Sequence, residues 1–532
     1  MCEERKIKVC IVGGGFCGIV AIANLVRLFA VSSDTRTSVT LIEKSGSIGP
    51  GLPYAQQLSQ IHLLAQEASI MGPVNPWSGN AGNDDFHQWV KERQNAFKPI
   101  YPSFDLTDPK AYLPRRLYGE YLEARYGDTK RVAAECGLEL KEVRGTVESV
   151  ERCSGSVRVT YKDQHDEIFG SEFDYCILAT GHWNPPDDKE WWQPGLCFRT
   201  YPSSAYATDP AIRRESPTVI LGAGMYAVDA ALELLRTGRR DLYMVSRRGW
   251  LRKVRGRFEK RTAKFFTKSN LNALVREDAT LHLWDVVRLL RQELEFAYDG
   301  KLNWQDIFSP KDPLATLEND IREVEEDHEL VWRSVLMSLG DLREEVYRRL
   351  DRQSKEAFAY GLRTHFFHFF GPIPLPSARR IARASREGKL HLVRGLDRIE
   401  WFGASKKFHI HCIEPTGKPL CIKADYIIES VGQVKSLQHV SLFRNMIDNG
   451  LVRPHHCGGI ELDLTTHRVI GATGHDERVF ALGPLSHGER LHASSSVIFA
   501  RAAKEIASEI VAGSARQGVE FRHGADAQAR WS

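Results

Sequence analysis

The stretch IKVCIVGGGFCG, residues 7–18, decides the fold of this chain. Its apolar first half is typical of a buried strand, and residues 19–29 have the composition of a helix, so the glycines form a turn between them. Three glycines have the spacing GxGxxG: Gly13 allows a sharp turn, Gly15 lets backbone approach a pyrophosphate, and Gly18 lets the helix pack close to the strand. The helix N-terminus offers N–H groups and a positive dipole end to phosphates. The stretch therefore predicts a dinucleotide-binding turn.

A second apolar strand, residues 38–42, ends on Glu43 and is followed by Lys44. A carboxylate at this position of a dinucleotide-binding unit accepts a hydrogen bond from a ribose hydroxyl. We therefore assign Glu43 and Lys44 to the cofactor site, and we expect a nucleotide with a free ribose there. A glycine-rich turn without a ligand is the alternative, and the strand–turn–helix context disfavours it.

The opening pattern occurs a second time, in PTVILGAGMYA at residues 217–227. Its fingerprint has the form GxGxxA and consists of Gly222, Gly224 and Ala227. Each copy leads to short strands that close in an Asp-Tyr pair, apolar residues and a glycine, DYCILATG at 174–181 and DYIIESVG at 425–432. We call the end of each closing segment its exit, and we expect Thr180 and Gly181, at the exit of the first copy, to contact the nucleotide. The repeat predicts an α/β protein with two Rossmann-like dinucleotide-binding domains.

The second copy differs from the first after its second strand, residues 241–245, where Arg247 and Arg248 stand in place of an acidic residue. Guanidinium groups bind a 2′-phosphate bidentately, whereas a carboxylate suits a 2′-hydroxyl. The second site therefore favours NADPH over NADH. A solvated charge pair is the alternative interpretation of these two arginines.

The chain has 532 residues, which is too long for one hydrophobic core. We predict a discontinuous first domain at residues 1–212 and 433–532, and a second domain at 213–432. The second copy of the unit is the longer one, and we assign its surplus, about residues 258–376, to a helical insertion. That segment contains helical patterns at residues 281–297 and 314–350 and the aromatic run HFFHFF at 365–370.

Charge and cysteine usage exclude several partners. With 72 basic and 68 acidic residues the chain is nearly balanced, so no nucleic acid partner is expected. No apolar run has the length of a bilayer span, and the polar residues 1–8 do not begin a signal peptide, so no membrane partner is expected either. The ten cysteines form no CxxC pair, which indicates reduced thiols in a cytoplasm.

Two groups of residues could suggest a metal, but we predict no metal site in this chain. His365 and His368 are three residues apart, which suits one helical face, but six consecutive rings are more typical of a core or a cavity wall. His455-His456-Cys457 precede two glycines, where a solvated turn is favoured over a zinc site because only three candidate ligands cluster there.

Several segments resemble one family of two-dinucleotide-binding flavoproteins. The family includes bacterial FAD-dependent urate hydroxylase and the nitrosuccinate-forming aspartate N-monooxygenase, and the resemblance covers about residues 7–511. The segments that carry it are GPGLPY at 49–54, HLL at 62–64, DDFHQW at 84–89, YLPRRLYGEYL at 112–122 and LGP at 482–484. This sequence departs from the family pattern at Ala65, where asparagine is usual, and at Ser430-Val431, where Ala-Thr is usual.

The resemblance implies a cofactor pair and a reaction. FAD would occupy the first site and be reduced by NADPH (or NADH) from the second; a flavin hydroperoxide formed with O2 would then transfer one oxygen to a small polar substrate, an amine or a nitrogen heterocycle. It also implies that Gly51, Tyr54 and His62 lie near the isoalloxazine ring and that Gly483 and Pro484 close over it. The helix beginning near Ser494 would direct its positive end at the flavin.

The sequence leaves two alternative functions open. One is an NAD(P)H-dependent flavin reductase or oxidase that inserts no oxygen, and the other is a non-enzymatic flavin-binding regulator. The sequence contains no catalytic triad or paired carboxylates, which the flavin reaction does not require, so no catalytic residue is assigned and His62 is the one candidate.

Overall fold

A computed structural model describes residues 7–31, 37–71, 84–209, 212, 214–305, 312–414, 416–432, 436–492 and 495–516. The chain divides into two compact units. The first comprises Met1–Gln57, Gln66–Trp183 and Val434–Ser532, and the second comprises Leu58–Ala65 and Asn184–Gln433. A short segment before residue 66 therefore belongs to the second unit, although the chain on both sides of it belongs to the first.

The strands, numbered along the chain, are β1 (Ile7–Val12), β2 (Thr37–Glu43), β3 (Glu139–Cys153), β4 (Ser156–Asp163), β5 (Ile168–Phe173), β6 (Tyr175–Leu178), β7 (Cys197–Arg199), β8 (Thr218–Leu221), β9 (Leu242–Ser246), β10 (Leu390–Arg394), β11 (Leu396–Phe402), β12 (Lys407–Ile413), β13 (Pro419–Ala424), β14 (Tyr426–Glu429), β15 (Arg468–Gly471) and β16 (Gly474–Ala481).

The helices in the described residues, numbered likewise, are α1 (Phe16–Val31), α2 (Asp85–Glu92), α3 (Gln94–Phe97), α4 (Arg115–Glu135), α5 (Ser204–Ala207), α6 (Met225–Arg236), α7 (Lys268–Ala273), α8 (Leu283–Ala297), α9 (Pro313–Glu325), α10 (Val331–Ser338), α11 (Leu342–Arg349), α12 (Arg352–Ala357), α13 (Arg363–Phe370), α14 (Leu375–Arg386), α15 (Ser441–Asp448) and α16 (Ser496–Arg516). A π-helical turn, Phe358–Leu362, joins α12 to α13, and 3-10 turns lie at Ala68–Ile70 and Pro484–Ser486.

The first unit is built on an eight-stranded sheet with the order β15-β16-β6-β1-β2-β3-β4-β5. Strand β1 lies inside it and pairs in parallel with β2 and β6, and its side chains are buried except for Lys8. This continuous burial is what parallel strands with covered faces require. Helix α1 packs against α4 and α16. The strand–turn–helix unit predicted from residues 7–18 therefore lies at the centre of this unit.

The second unit contains a five-stranded parallel sheet with the order β10-β9-β8-β14-β7 and a separate three-stranded antiparallel sheet, β11-β12-β13. Strand β8 is buried on both faces, as its apolar sequence predicts. Strand β12 instead alternates, with Phe408, Ile410 and Cys412 buried in the core of the unit and the intervening side chains partly exposed. The three-stranded sheet therefore has one packed face and one open face.

The two units repeat the same backbone hydrogen bonds around their glycine turns. Gly13 N donates to Ile42 O at 2.9 Å, and Gly222 N donates to Val245 O at 2.8 Å. The exits match as well, because Ala179 N donates to Val12 O at 2.8 Å and Ser430 N donates to Leu221 O at 2.9 Å. The predicted fold class, an α/β protein with two Rossmann-like units, is confirmed.

The segment between β9 and β10 contains helices α7 to α14. The sequence pattern over residues 314–350 was continuous, but the structure breaks it into α9, α10 and α11. Each break contains a residue in the left-handed region: Asp327, with φ 52°, lies between α9 and α10, and Gly340, with φ 51°, lies between α10 and α11. A left-handed residue ends a helix because the next turn cannot continue the right-handed path.

Candidate functional site

The turn after β1 needs glycine at two of its three fingerprint positions for packing alone. A Cβ at Gly13, where φ is 106°, would lie 2.4 Å from the carbonyl oxygen of Ala179, and a Cβ at Gly18 would lie 2.0 Å from that of Gly13. Both distances are far below any real contact. These two glycines therefore bring helix α1 and the exit of β6 close to β1, as the fingerprint requires.

Gly15 differs from these two because no atom of the described residues would crowd a Cβ at this position. A Cβ there would meet as its nearest neighbour the Cα of Gly51 at 3.6 Å, an ordinary van der Waals contact. Gly15 directly precedes helix α1, and its carbonyl oxygen accepts from Ile19 N at 3.0 Å. The first N–H groups of a helix lack intrahelical acceptors and attract anions. Gly15 and Gly51 thus leave bare backbone beside a helix N-terminus, an arrangement that fits a pyrophosphate.

Glu43, at the end of β2, is held beside the same turn. Its Oε2 accepts from Gly14 N at 2.7 Å, and its Oε1 accepts from the N and Oγ of Ser45, each at 2.8 Å. A carboxylate has about four acceptor sites, so these bonds leave room for a ribose hydroxyl. The neighbouring Lys44 is exposed, with its Nζ 5.3 Å from the centre of the Trp183 ring.

The exits of two strands meet at this turn. Leu482 N donates to Leu178 O at 2.9 Å, which ties the end of β16 to the end of β6. Gly483, with φ 92°, packs on the first turn of α1, since a Cβ there would lie 2.8 Å from Cys17 Sγ. The turn beginning at Pro484 follows at once. The structure therefore brings the predicted loop at 483–484 to the carboxyl ends of parallel strands, where ligands of such sheets bind.

The other residues of the first exit lie at the same end of the sheet. Gly181 adopts φ 70°, and Thr180 Oγ1 accepts from Trp183 Nε1 at 3.3 Å. This bond links the exit to Trp183, whose ring also contacts Lys44. The assignment of Thr180 and Gly181 to the cofactor stays a prediction.

Two segments that carried the family resemblance pack on each other. A Cβ at Gly119 of α4 would lie 2.1 Å from the carbonyl oxygen of Tyr54 and 3.1 Å from Pro50. The rings of Tyr54 and Tyr118 are in edge contact, with centroids 4.9 Å apart. Helix α4 thus fixes the segment that carries Gly51 and Tyr54 over the glycine turn.

His62 lies in the second unit, with surroundings that the sequence did not indicate. Its ring is fully buried, and its Nε2 lies 3.3 Å from Oε2 of Glu233 on helix α6. Burial acts to raise the pKa of Glu233, but the hydrogen bonds from His62 and Arg236 outweigh it and lower that pKa to about 2. The buried ring of His62 thus contacts a carboxylate of its own unit, and a place beside the flavin stays a prediction.

The second fingerprint repeats the division between packed and open glycines. A Cβ at Gly222, where φ is 115°, would lie 2.6 Å from Ser430 O, and Ala227 is fully buried. A Cβ at Gly224, which caps helix α6, would meet only Arg252 Nε, at 3.9 Å. The middle position is again bare backbone at a helix N-terminus, here with a guanidinium beside it.

The arginine pair after β9 is exposed to solvent. Arg248 Nη1 donates to His365 Nδ1 at 2.8 Å, and its guanidinium lies 5.7 Å from the centre of the Trp250 ring. Trp250 in turn contacts His365 and His368, with centroids 4.9 and 5.4 Å apart. Burial, together with nearby cations, lowers the pKa of His368 to about 3, so this ring is neutral at pH 7. Helix α13 therefore supports the arginine segment.

Arg252 lies beside the open glycine of the second fingerprint, a position that its sequence pattern did not indicate. Its Nη1 donates to Phe367 O at 2.7 Å, and a Cβ at Gly371 would lie 2.2 Å from the same nitrogen, so helix α13 and its end fix the guanidinium beside Gly224. Burial lowers the pKa of Arg252 to about 10, which leaves it cationic at neutral pH. The available signal was its place in the basic stretch at residues 247–257, which directly follows β9.

An ion cluster around one buried carboxylate lies at the end of β14, next to the carbonyl of Ser430. Glu429 has a side chain that is 2% exposed, and it pairs with Arg199 and with Lys189, whose Nζ is 2.9 Å from Oε1. The guanidinium of Arg199 also lies 4.0 Å from the centre of the Trp192 ring. This cluster fixes the segment 189–199 against the exit of the second unit.

The prediction of a solvated turn at 455–457 is wrong. His455 and Cys457 are buried. The backbone of Gly488 packs directly on the His455 ring, since a Cβ at Gly488 would lie only 2.0 Å from His455 Nδ1. His455 Nδ1 accepts from Cys457 N at 3.0 Å, and its Nε2 lies 3.5 Å from Glu489. Both ring nitrogens of His455 are therefore in use.

Ser494 lies outside the described residues, and helix α16 begins at Ser496.

Comparison with known proteins supports a dinucleotide-binding first unit. Residues 10–183 match a family described as FAD-NAD(P)-binding, which confirms the resemblance stated from the sequence. In the described part of the chain, no helix combines the length and apolar character of a membrane span.

The chain is also similar to particular proteins over most of its length. An uncharacterized Escherichia coli K12 protein, YdhS, is 23% identical over 448 residues, which cover 73% of this chain and 76% of that protein. An ornithine N-hydroxylase from Kutzneria sp. 744, solved with reduced FAD, NADP+ and L-ornithine, has a TM-score of 0.56 at 14% identity and covers 97% of this chain and 100% of its own. An L-lysine 6-monooxygenase from Pseudomonas syringae has a TM-score of 0.51 at 14% identity, with coverages of 97% and 100%. These likenesses show the fold.

Proposed function

We propose that this protein is an FAD-dependent, NAD(P)H-dependent monooxygenase that hydroxylates a small polar substrate, an amine or a nitrogen heterocycle. The observation that carries the proposal is the pair of open glycines, Gly15 and Gly224, each bare beside a helix N-terminus. The family match over residues 10–183 supports FAD as the first cofactor.

The first unit supplies what FAD needs from a protein. The turn at 13–18 would present backbone N–H groups and the positive end of α1 to the pyrophosphate, and Glu43, which is held beside it by Gly14 N, would accept from the ribose. Gly483 and Pro484, at the ends of β6 and β16, limit access to the same edge. When bound, FAD supplies the oxidising chemistry with O2, while the chain orients it and excludes water.

The second unit supplies what NADPH needs. Gly224 gives the pyrophosphate access to the N-terminus of α6, and Arg252 adds a positive charge at that point. The exposed Arg247 and Arg248 are available to a 2′-phosphate, which guanidinium groups bind bidentately. This arrangement favours NADPH over NADH.

An amine is the preferred substrate class. The similar structures with TM-scores above 0.5 include hydroxylases of ornithine and a monooxygenase of lysine, and ornithine and lysine are both primary amines.

Each cysteine in the described part of the chain is a free thiol, which supports a reducing compartment, the cytoplasm.

The proposal is tested with purified FAD-loaded protein by measuring NADPH oxidation against a panel of primary amines and nitrogen heterocycles, with peroxide counted in parallel. We expect at least one compound to accelerate NADPH oxidation, to suppress peroxide, and to yield a product whose added oxygen comes from isotopically labelled O2. Peroxide equal to the NADPH consumed with every compound would overturn oxygen insertion and favour the reductase or oxidase. Failure of NADPH to bleach the flavin without oxygen would favour a flavin-binding regulator.

A further inference from the structure

The open face of the three-stranded sheet gathers soft metal ligands that the proposed function does not use. His409 and His411 are two residues apart on β12, so both side chains lie on the face opposite the buried Phe408, Ile410 and Cys412. Cys421 on β13 is the register partner of His411 across the strands, and it is exposed. The alternation of the sheet therefore places two imidazoles and a thiol on one surface.

These groups lie close enough to share a cation. One nitrogen of each histidine and Cys421 Sγ are all within 4.8 Å of one another. Zinc takes nitrogen ligands at about 2.0–2.1 Å and thiolate at about 2.3 Å. A cation between the three groups therefore requires them to close by a small amount, and the exposed Cys421 side chain can turn towards the histidines.

Neighbouring side chains already orient both rings. Glu400 on β11 lies across from His409 in the register, and its Oε2 is 2.8 Å from His411 Nε2. With the proton of His411 on Nε2 and shared with Glu400, the lone pair is on Nδ1, as in the carboxylate–histidine pairs of zinc sites. The His409 ring lies against Phe402, with centroids 4.1 Å apart.

We propose that this face binds one thiophilic divalent cation, Zn2+, through His409, His411 and Cys421. Water completes the tetrahedral set, and Glu400 is a positioning residue that acts through His411. Binding converts the Cys421 thiol to a thiolate and releases its proton to solvent, with no change in oxidation state. The cation would link β12 to β13. This site is independent of the flavin chemistry, so neither proposal depends on the other.

The test uses untagged full-length protein, freed of metal by a chelator, and Co2+ alone as the spectroscopic probe. We expect one Co2+ per chain, with the tetrahedral visible bands and the thiolate-to-cobalt charge-transfer absorption of a site that contains cysteine. Zn2+ added afterwards should abolish these bands by displacement. Absence of saturable binding, or bands without thiolate character, would overturn the proposal.

Variants assign the site to these residues. Cys421→Ser should abolish the charge-transfer band, and Glu400→Gln should keep the band but weaken Co2+ binding by about 10–100-fold, the usual effect of removing a partner that orients a ligand. Cys153→Ser, at the end of β3 in the first unit, is the matched control and should change neither. Equal circular dichroism of all variants without metal excludes misfolding as the cause. A charge-transfer band that persists in Cys421→Ser would place the thiolate elsewhere and refute the assignment.

Discussion

Replacement of Gly15 by alanine separates cofactor binding from folding. The added methyl group would meet its nearest protein atom at 3.6 Å, so the folded chain accommodates it. The same change at Gly18 would place the methyl group 2.0 Å from a carbonyl oxygen inside the strand–helix junction. We therefore expect Gly15→Ala to fold and lose FAD affinity, and Gly18→Ala to lose stability.

The size of the effect follows from what the methyl group displaces. It occupies the place where a pyrophosphate approaches the backbone at the start of α1, and it removes or lengthens a hydrogen bond to a charged group. Such a bond contributes about 1.5–3 kcal/mol. At about 1.4 kcal/mol for each factor of ten, Gly15→Ala should weaken FAD binding by about 10–150-fold. Gly15→Leu fills more of the same space and should purify as colourless apoprotein.

The assay is the ratio of flavin to protein after gel filtration, followed by titration of apoprotein with FAD. Gly127→Ala is the matched control, because a Cβ there meets nothing within 4 Å and the residue lies within α4, away from the turn. Thermal unfolding of the apoproteins checks that Gly15→Ala folds as the wild type does. Wild-type FAD affinity in Gly15→Ala would refute the assignment of this turn to the pyrophosphate.

Other substitutions test the second unit. Gly224→Ala should raise the KM for NADPH by a similar factor while leaving bound FAD unchanged, because its Cβ meets only Arg252 Nε at 3.9 Å; a normal KM would contradict the assignment. Arg247→Ala combined with Arg248→Ala should weaken NADPH much more than NADH in steady-state kinetics, and equal loss would remove the phosphate argument. Glu429→Ala should lower the free energy of unfolding by about 1.5–3 kcal/mol in denaturant titrations, because it removes the buried carboxylate that accepts from the partly buried Arg199 and Lys189. Asp187→Asn removes an exposed partner of Arg199 and should change the free energy of unfolding by less than about 1 kcal/mol. Equal losses of stability in the two variants would refute the argument from burial.

The sequence predicted the glycine turns well because their requirements are local. A strand, a turn with fixed glycine spacing and a helix follow one another directly, and their physical reasons act within a dozen or so residues. The repeat of that unit then predicted that each of the two units contains a Rossmann-like sheet. Even the roles of Gly13 and Gly222 followed, although the carbonyl groups that press on them, at Ala179 and Ser430, lie far along the chain.

The sequence did not predict contacts between distant polar residues. His62 was assigned to the flavin by resemblance, yet it contacts Glu233, which is distant in sequence and follows the second fingerprint. Glu429 stands in a strand whose pattern is otherwise apolar, and nothing near it in the sequence identifies Lys189 or Arg199 as its partners. Burial of paired charges depends on the assembled core, which a one-dimensional pattern does not contain.

The two glycine turns have the same backbone arrangement but differ in the charges of the side chains beside them. In both, the first position is closed by a carbonyl oxygen and the middle position is open. Beside the first turn stands the carboxylate of Glu43, bonded to Gly14 N, whereas beside the second stands the guanidinium of Arg252, close to Gly224. A carboxylate suits a neutral ribose and repels an additional phosphate, whereas the guanidinium groups of Arg247 and Arg248, which follow β9, suit a 2′-phosphate. One duplicated scaffold can therefore distinguish FAD from NADPH through the side chains that follow its second strand, and the glycines themselves need not differ.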